Sequence, residues 1–174
     1  MGTTGRDPKA TERVGKTPFA SRTLGESLSH AWNGLVYVYS SERNMRIHIF
    51  IASLVVSLCI VVGVDRVDFF MVILAVSGVL CAELLNTLVE SLVDLMEPEY
   101  SLIAKRVKDI AAGGVLLTAF LSIAVGILVF YPVLLEVPDV WHDFCAYRWK
   151  WFVVCSLLFI LPSFCGMIKY TNKV

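Results

Sequence analysis

Three carboxylic acids and one amide line up along an apolar stretch of this chain. Between Ala82 and Gly114 it reads AELLNTLVESLVDLMEPEYSLIAKRVKDIAAGG, where Glu83, Asn86, Glu90 and Asp94 follow one another at steps of three, four and four. At about 100° per residue these positions fall at roughly 0°, 300°, 340° and 20° around a helix. All four therefore project from one narrow polar seam on an otherwise greasy rod. An ionised carboxylate at membrane depth costs about 3 kcal/mol or more, so such groups normally face a bundle interior and do chemistry. Asp94 suits an acidic end dipping into the headgroup zone. Glu83 and Glu90 do not suit it, and they are the candidates for proton transfer or cation binding.

Composition sets the elements that must carry this seam. A chain of 174 residues is one ordinary domain by length, but 57% hydrophobic residues and a mean hydropathy of +0.72 are too apolar for a soluble fold. An integral membrane protein is expected, of the all-α class: a helical bundle. Formal net charge is zero, so the overall balance points to no class of partner, and no nucleic-acid partner is expected. Five cysteines, Cys59, Cys81, Cys145, Cys155 and Cys165, are odd in number and show no CxxC pairing. They read as small apolar residues in packed or lipid-facing helices, without a zinc site or a full disulfide framework.

Residues 1–18 are polar and Gly/Thr-rich and read as a disordered arm without the apolar core of a signal peptide. From Phe19 to Tyr39 the apolar residues Leu24, Leu28, Ala31, Trp32, Leu35, Val36 and Tyr39 recur at helical spacing, opposite Arg22, Glu26, Ser29 and Asn33. That pattern predicts an amphipathic helix lying on the membrane surface. The segment SERNMRIH, Ser41 to His48, then gathers Glu42, Arg43, Asn44, Arg46 and His48 before the first long apolar run. Such a cluster is either a solvated anchor or an electrostatic clamp for a phosphate group. Crossings are predicted for Ile47–Val64, Val67–Met96 and Ile110–Val133, joined by the DRVD turn at Asp65–Asp68 and a charged loop over Glu97–Asp109. Residues 136–174 add a polar aromatic loop and a fourth expected crossing, a C-terminal transmembrane helix over Trp151–Ile168, with a short basic tail.

Orientation follows from Lys and Arg. The segment up to Arg46 carries seven, the Lys105–Lys108 region three and the tail two, against three in Arg66, Arg148 and Lys150. The arm, the Glu97–Asp109 segment and the C-terminus are therefore expected in the cytoplasm, with the protein multi-pass in the cytoplasmic (inner) membrane. Glu42, the lower end of the Glu83/Glu90 seam and Lys108/Asp109 then share the side that faces ATP.

The pattern ELLNTLVESLVD followed by AKRVKDIAAGGVLL, with the W-N-G and E-R-N-M-R-I-H segments upstream, resembles the small prokaryotic diacylglycerol kinase family over roughly residues 19–135. The resemblance implies a surface helix plus three transmembrane helices per subunit, a homotrimer with composite active sites, and transfer of the γ-phosphate of MgATP to a membrane lipid alcohol. It implies Glu83 as general base for the lipid hydroxyl and Asn86 as its polar neighbour. Glu42 and Glu90 match the carboxylates that hold Mg²⁺ on the nucleotide, and Glu99, Tyr100, Lys108 and Asp109 match nucleotide-contacting positions. Trp32 and Arg46, with Asn86, are the expected contacts to the lipid substrate. Phosphoryl transfer suits such a set, since it needs mainly positioning and charge neutralisation by hard oxygen ligands. No GxxxxGK[ST] sequence occurs, so side chains must hold the nucleotide.

E-R-N-x-x-x-H and A-K-x-x-K-D-x-A-A-G look closer to the undecaprenol kinase branch than to the diacylglycerol branch. Thr23, beside Arg22, stands where one branch has an arginine, and residues 136–174 lie beyond the family's common three-crossing form. Two other readings remain open at this level: a small oligomeric channel or transporter with a conducting acidic seam, and a catalytically dead adaptor. The channel does not require Glu42 and Lys108/Asp109 on one side, and the adaptor does not require every acidic position intact.

Overall fold

The computed structural model describes residues 23–135, 142, 145, 149–155 and 157. Every extended element among them is helical: α1 (Leu24–Ser41), α2 (Arg43–Val62), α3 (Arg66–Met96), α4 (Leu102–Leu135) and a short α5 (Trp149–Cys155). The chain divides into two units after Tyr37.

The first unit contains the body of α1, whose start has a local cause. Thr23 Oγ1 accepts from the Glu26 backbone N–H at 3.2 Å, and Glu26 Oε2 accepts from the Thr23 N–H at 3.3 Å. This reciprocal capping satisfies two donors that a helix start otherwise leaves orphaned, which gives Thr23 a structural role of its own. The apolar stripe is real and uncovered: Leu24, Leu28 and Trp32 are 85, 71 and 66% exposed.

In the second unit α2, α3 and α4 are the three helices long and apolar enough to cross a membrane among the described residues. The α2–α3 turn is tight because Gly63 adopts the left-handed conformation, φ 76° and ψ 48°, and its N–H closes on Cys59 O at 2.8 Å. Asp65 then caps α3, its Oδ1 accepting from the Asp68 N–H at 2.8 Å. The expected Asp65–Asp68 turn is thus shorter than the sequence suggests, since the helix resumes at Arg66.

A larger correction concerns the charged loop expected over Glu97–Asp109. Only residues 97–101 are non-helical; α4 starts at Leu102, with Ser101 Oγ accepting from the Ala104 N–H at 3.5 Å. Lys105, Arg106, Lys108 and Asp109 stand on the first turns of this helix. At about 1.5 Å per residue, 31-residue α3 and 34-residue α4 run to roughly 46 and 51 Å, beyond a hydrocarbon core of about 30 Å. Both can therefore stay helical while carrying charge into water.

The helices are layered by polarity. At the turn end, Cys59, Val72 and Val129 form a core with Val55, Phe69, Val76, Val125 and Phe130 packed around it. Toward the other end the buried positions include the polar Arg46, Glu83, Asn86 and Thr87 beside the apolar Val38 and Met45, while Ser57 is a buried polar residue nearer the turn. α3 packs on α4 along much of their length, α2 packs on α3, and α5 lies against α2. Within one chain only 22, 17 and 11% of the apolar windows of α2, α3 and α4 is buried, which leaves most of their surface to lipid or to other copies. The arm, the start of the surface helix before Thr23, most of the 136–148 loop, the tail and most of the fourth apolar segment lie outside the described residues.

Candidate functional site

The α3 face that carries Val72, Val76 and Val79 into the core continues, one, two and three turns on, with Glu83, Asn86 and Glu90. The helical period thus delivers a polar seam to the same interior that the apolar residues fill. Glu83 is 1% exposed, the most buried large side chain of the described residues, and its Oε2 has no hydrogen-bond partner. Asn86, also buried, donates from Nδ2 to Glu90 Oε1 at 2.9 Å, while its Oδ1 has no partner. Glu90 itself is half-buried. Thr87 closes the back of the seam, its hydroxyl donating to Glu83 O at 3.0 Å; the period alone would have found it, one turn from Glu83.

Glu42 reaches this region from the α1–α2 corner. It is the extended residue between the two helices, φ −94° and ψ 121°, and caps α2 without a side-chain hydrogen bond. Its carboxylate is therefore not consumed by its own helix. Glu42 and Glu90 both lie near enough to Glu83 for their charges to act on it. Among the described residues none of them has an ion-pair partner, the single salt bridge there being Lys108–Asp94. Nor do three acids, histidines or cysteines anywhere among those residues converge tightly enough to hold a metal by themselves. What remains is the buried Glu83 with two further carboxylates, Glu42 and Glu90, each near enough for its charge to act on it.

Lys108 on the second turn of α4 bonds to Asp94 at the end of α3, a link across the connection that spacing in the sequence did not reveal. Glu99, Tyr100 and Asp109 are exposed near that end, Tyr100 by 81%, and none hydrogen-bonds to the carboxylate cluster among the described residues. Trp32 belongs to the first unit, in the exposed stripe of α1. Arg46 is not displayed toward solvent: it is 6% exposed, and its Nη1 donates to Tyr39 O at 3.3 Å and Ser40 O at 3.0 Å.

Above Glu83, toward the turn end, the three spanning helices part around a cavity of about 360 Å³. Val55, Val79, Leu80 and Gly126 represent its apolar lining, with His48 and Ser122 as polar exceptions. Val79 and Leu80 of this lining stand one turn from Glu83 along α3. Mostly apolar walls with a few polar groups describe a site for a hydrocarbon ligand with a polar end. Sequence reading missed this cavity.

Residues 29–130, more than half of the chain, match the family described as prokaryotic diacylglycerol kinase. A protein of Synechocystis sp. named diacylglycerol kinase is 37% identical over 111 residues, covering 63% of this chain and 63% of that protein. A Bacillus subtilis protein named undecaprenol kinase is 34% identical over 109 residues, covering 63% of this chain and 89% of the relative. The aligned part thus spans less than two thirds of the Synechocystis relative. No solved structure matches the chain.

Proposed function

The chain belongs to the prokaryotic diacylglycerol kinase family, and from that premise we propose that it transfers the γ-phosphate of MgATP to the hydroxyl of a membrane lipid alcohol. Undecaprenol is the acceptor we favour, on the E-R-N-x-x-x-H and A-K-x-x-K-D motifs. Diacylglycerol is the second reading, supported by the name of the Synechocystis relative. The observation that carries the proposal is the cluster of Glu42, Glu83 and Glu90 without a basic partner, at the foot of an apolar cavity.

Mg²⁺ suits this donor set. Glu42 and Glu90 offer hard oxygens without an ion-pair partner, and two carboxylates leave coordination positions for phosphate oxygens. When bound there, the ion would neutralise charge on the nucleotide phosphates. The chain's own residues supply the rest. Asn86 fixes the Glu90 carboxylate through its amide. Glu83, with one oxygen unpartnered in a buried setting, accepts the proton of the lipid hydroxyl as that oxygen attacks phosphorus. Lys108, Asp109, Glu99 and Tyr100 stand on the side assigned to the cytoplasm and contact the nucleotide. The open faces of α2–α4 are covered in a homotrimer, whose neighbouring subunits complete each site.

Purified protein in bilayers, given undecaprenol and diacylglycerol in equimolar amounts with labelled ATP and Mg²⁺, should yield mainly undecaprenyl phosphate. Predominant phosphatidic acid would make diacylglycerol the acceptor, and no labelled lipid from either would remove the kinase reading. A second expectation concerns the cavity, whose lining includes Gly126 and where a Cβ added at that position meets nothing within 4 Å. Gly126→Leu should raise the apparent KM for the lipid about tenfold with the KM for MgATP within about twofold. An increase confined to MgATP would separate the cavity from the acceptor.

A further inference from the structure

We propose that Arg46 is a positioning residue for Glu42, acting through the backbone corner between α1 and α2 and not by touching lipid or nucleotide; this rests on the reading that Glu42 holds the metal. A helix end leaves its last carbonyls without intrahelical partners. At the end of α1, Val38 O accepts from the Glu42 N–H at 2.9 Å, while the next two carbonyls, Tyr39 O and Ser40 O, receive Nη1 of Arg46 at 3.3 and 3.0 Å. One guanidinium thus joins the negative end of α1 to the first turn of α2. Glu42 is the single residue outside helical conformation between those two fixed points.

The burial of Arg46 gives the contact its weight. Arg46 is 6% exposed at the start of a spanning helix, and with its Nε lacking a hydrogen-bond partner the Nη1 bonds to the corner carbonyls replace part of the lost water. The contact thus links the placement of Arg46 to the corner and the corner to Arg46. Glu42 makes no side-chain cap bond that would orient it independently. The direction of its carboxylate is set by backbone torsions at the corner, which the Arg46 contact restrains. Lysine could reach one carbonyl with a point charge, but it lacks the rigid multi-donor fork of arginine.

The test compares Arg46→Gln, Arg46→Lys and Glu42→Gln in the full-length protein in bilayer nanodiscs. Mn²⁺ bound with a non-hydrolysable ATP analogue is read by electron paramagnetic resonance, alongside metal-free binding of the analogue and the lipid KM. Arg46→Gln should weaken Mn²⁺ binding by about 10-fold or more, the scale of residues that orient a ligand. Metal-free nucleotide binding and lipid KM should stay within about twofold. Arg46→Lys should lose about threefold and so recover part of the affinity; if Arg46→Gln does not fold, this variant decides alone. Unchanged Mn²⁺ binding in the Arg46 variants, beside a loss in Glu42→Gln, overturns the positioning role and leaves the metal reading standing. A shift in lipid KM or metal-free nucleotide binding overturns it in favour of direct contact. If Glu42→Gln itself keeps wild-type Mn²⁺ affinity, the metal reading and this inference fall together.

Discussion

Glu90→Gln and Glu42→Gln should each reduce turnover by about 1,000-fold, the scale of several kcal/mol of lost charge stabilisation, while the protein still inserts and assembles. Each substitution keeps side-chain size and removes one anionic oxygen donor from the pair proposed to share Mg²⁺. The surroundings limit other effects. Glu90 is half-buried and accepts one hydrogen bond, from Asn86 at 2.9 Å, and a glutamine carbonyl oxygen can accept the same bond. Glu42 has no ion-pair or capping bond to lose. Replacing either acid also relieves repulsion within a cluster that lacks a basic partner, so thermal stability without nucleotide should hold or rise. Activity should recover in part at high Mg²⁺, because a weakened site refills by mass action. Wild-type kcat in either variant at ordinary Mg²⁺ would remove that residue from the metal site.

The spanning segments were legible because a bilayer core rewards long apolar helices and almost nothing else. Their ends were less so. Lys105, Arg106, Lys108 and Asp109 look like a loop by hydropathy, yet they stand on α4, since charge ends a membrane span without ending a helix. The seam was legible from its period, and Glu83 and Asn86 are buried as that period requires. Arg46 was not. Within the Glu42–His48 cluster it reads as one more interfacial cation, and the carbonyls of Tyr39 and Ser40 that hold it leave no mark in the sequence. The Lys108–Asp94 link and the cavity above Glu83 have the same character: the first depends on how α3 and α4 pack and the second on how α2, α3 and α4 pack, which pairwise spacing along one chain does not encode.

Glu83→Gln should leave MgATP binding close to wild type and lower kcat by at least about 100-fold, the usual scale for a lost general base. Seven residues separate Glu83 from Glu90, about 10.5 Å along the helix axis at 1.5 Å per residue, which gives the two acids different work. Glu90, half-buried and held by Asn86, lies toward the end assigned to the cytoplasm; Glu83 is 1% exposed and one turn below the apolar cavity. A lipid hydroxyl arriving from that cavity meets Glu83 first, and the unpartnered Oε2 is an acceptor for its proton. Glutamine has nearly the same volume and leaves the Thr87 bond to the backbone carbonyl at 3.0 Å intact, but it cannot take up the proton. Nucleotide titration and single-turnover kinetics with saturating lipid, run beside Glu90→Gln, separate the two roles: Glu90→Gln should weaken MgATP binding as well as slow the reaction. Loss of nucleotide affinity in Glu83→Gln equal to that in Glu90→Gln, with kcat preserved, would place both carboxylates in the nucleotide site and leave the lipid hydroxyl without a base on α3.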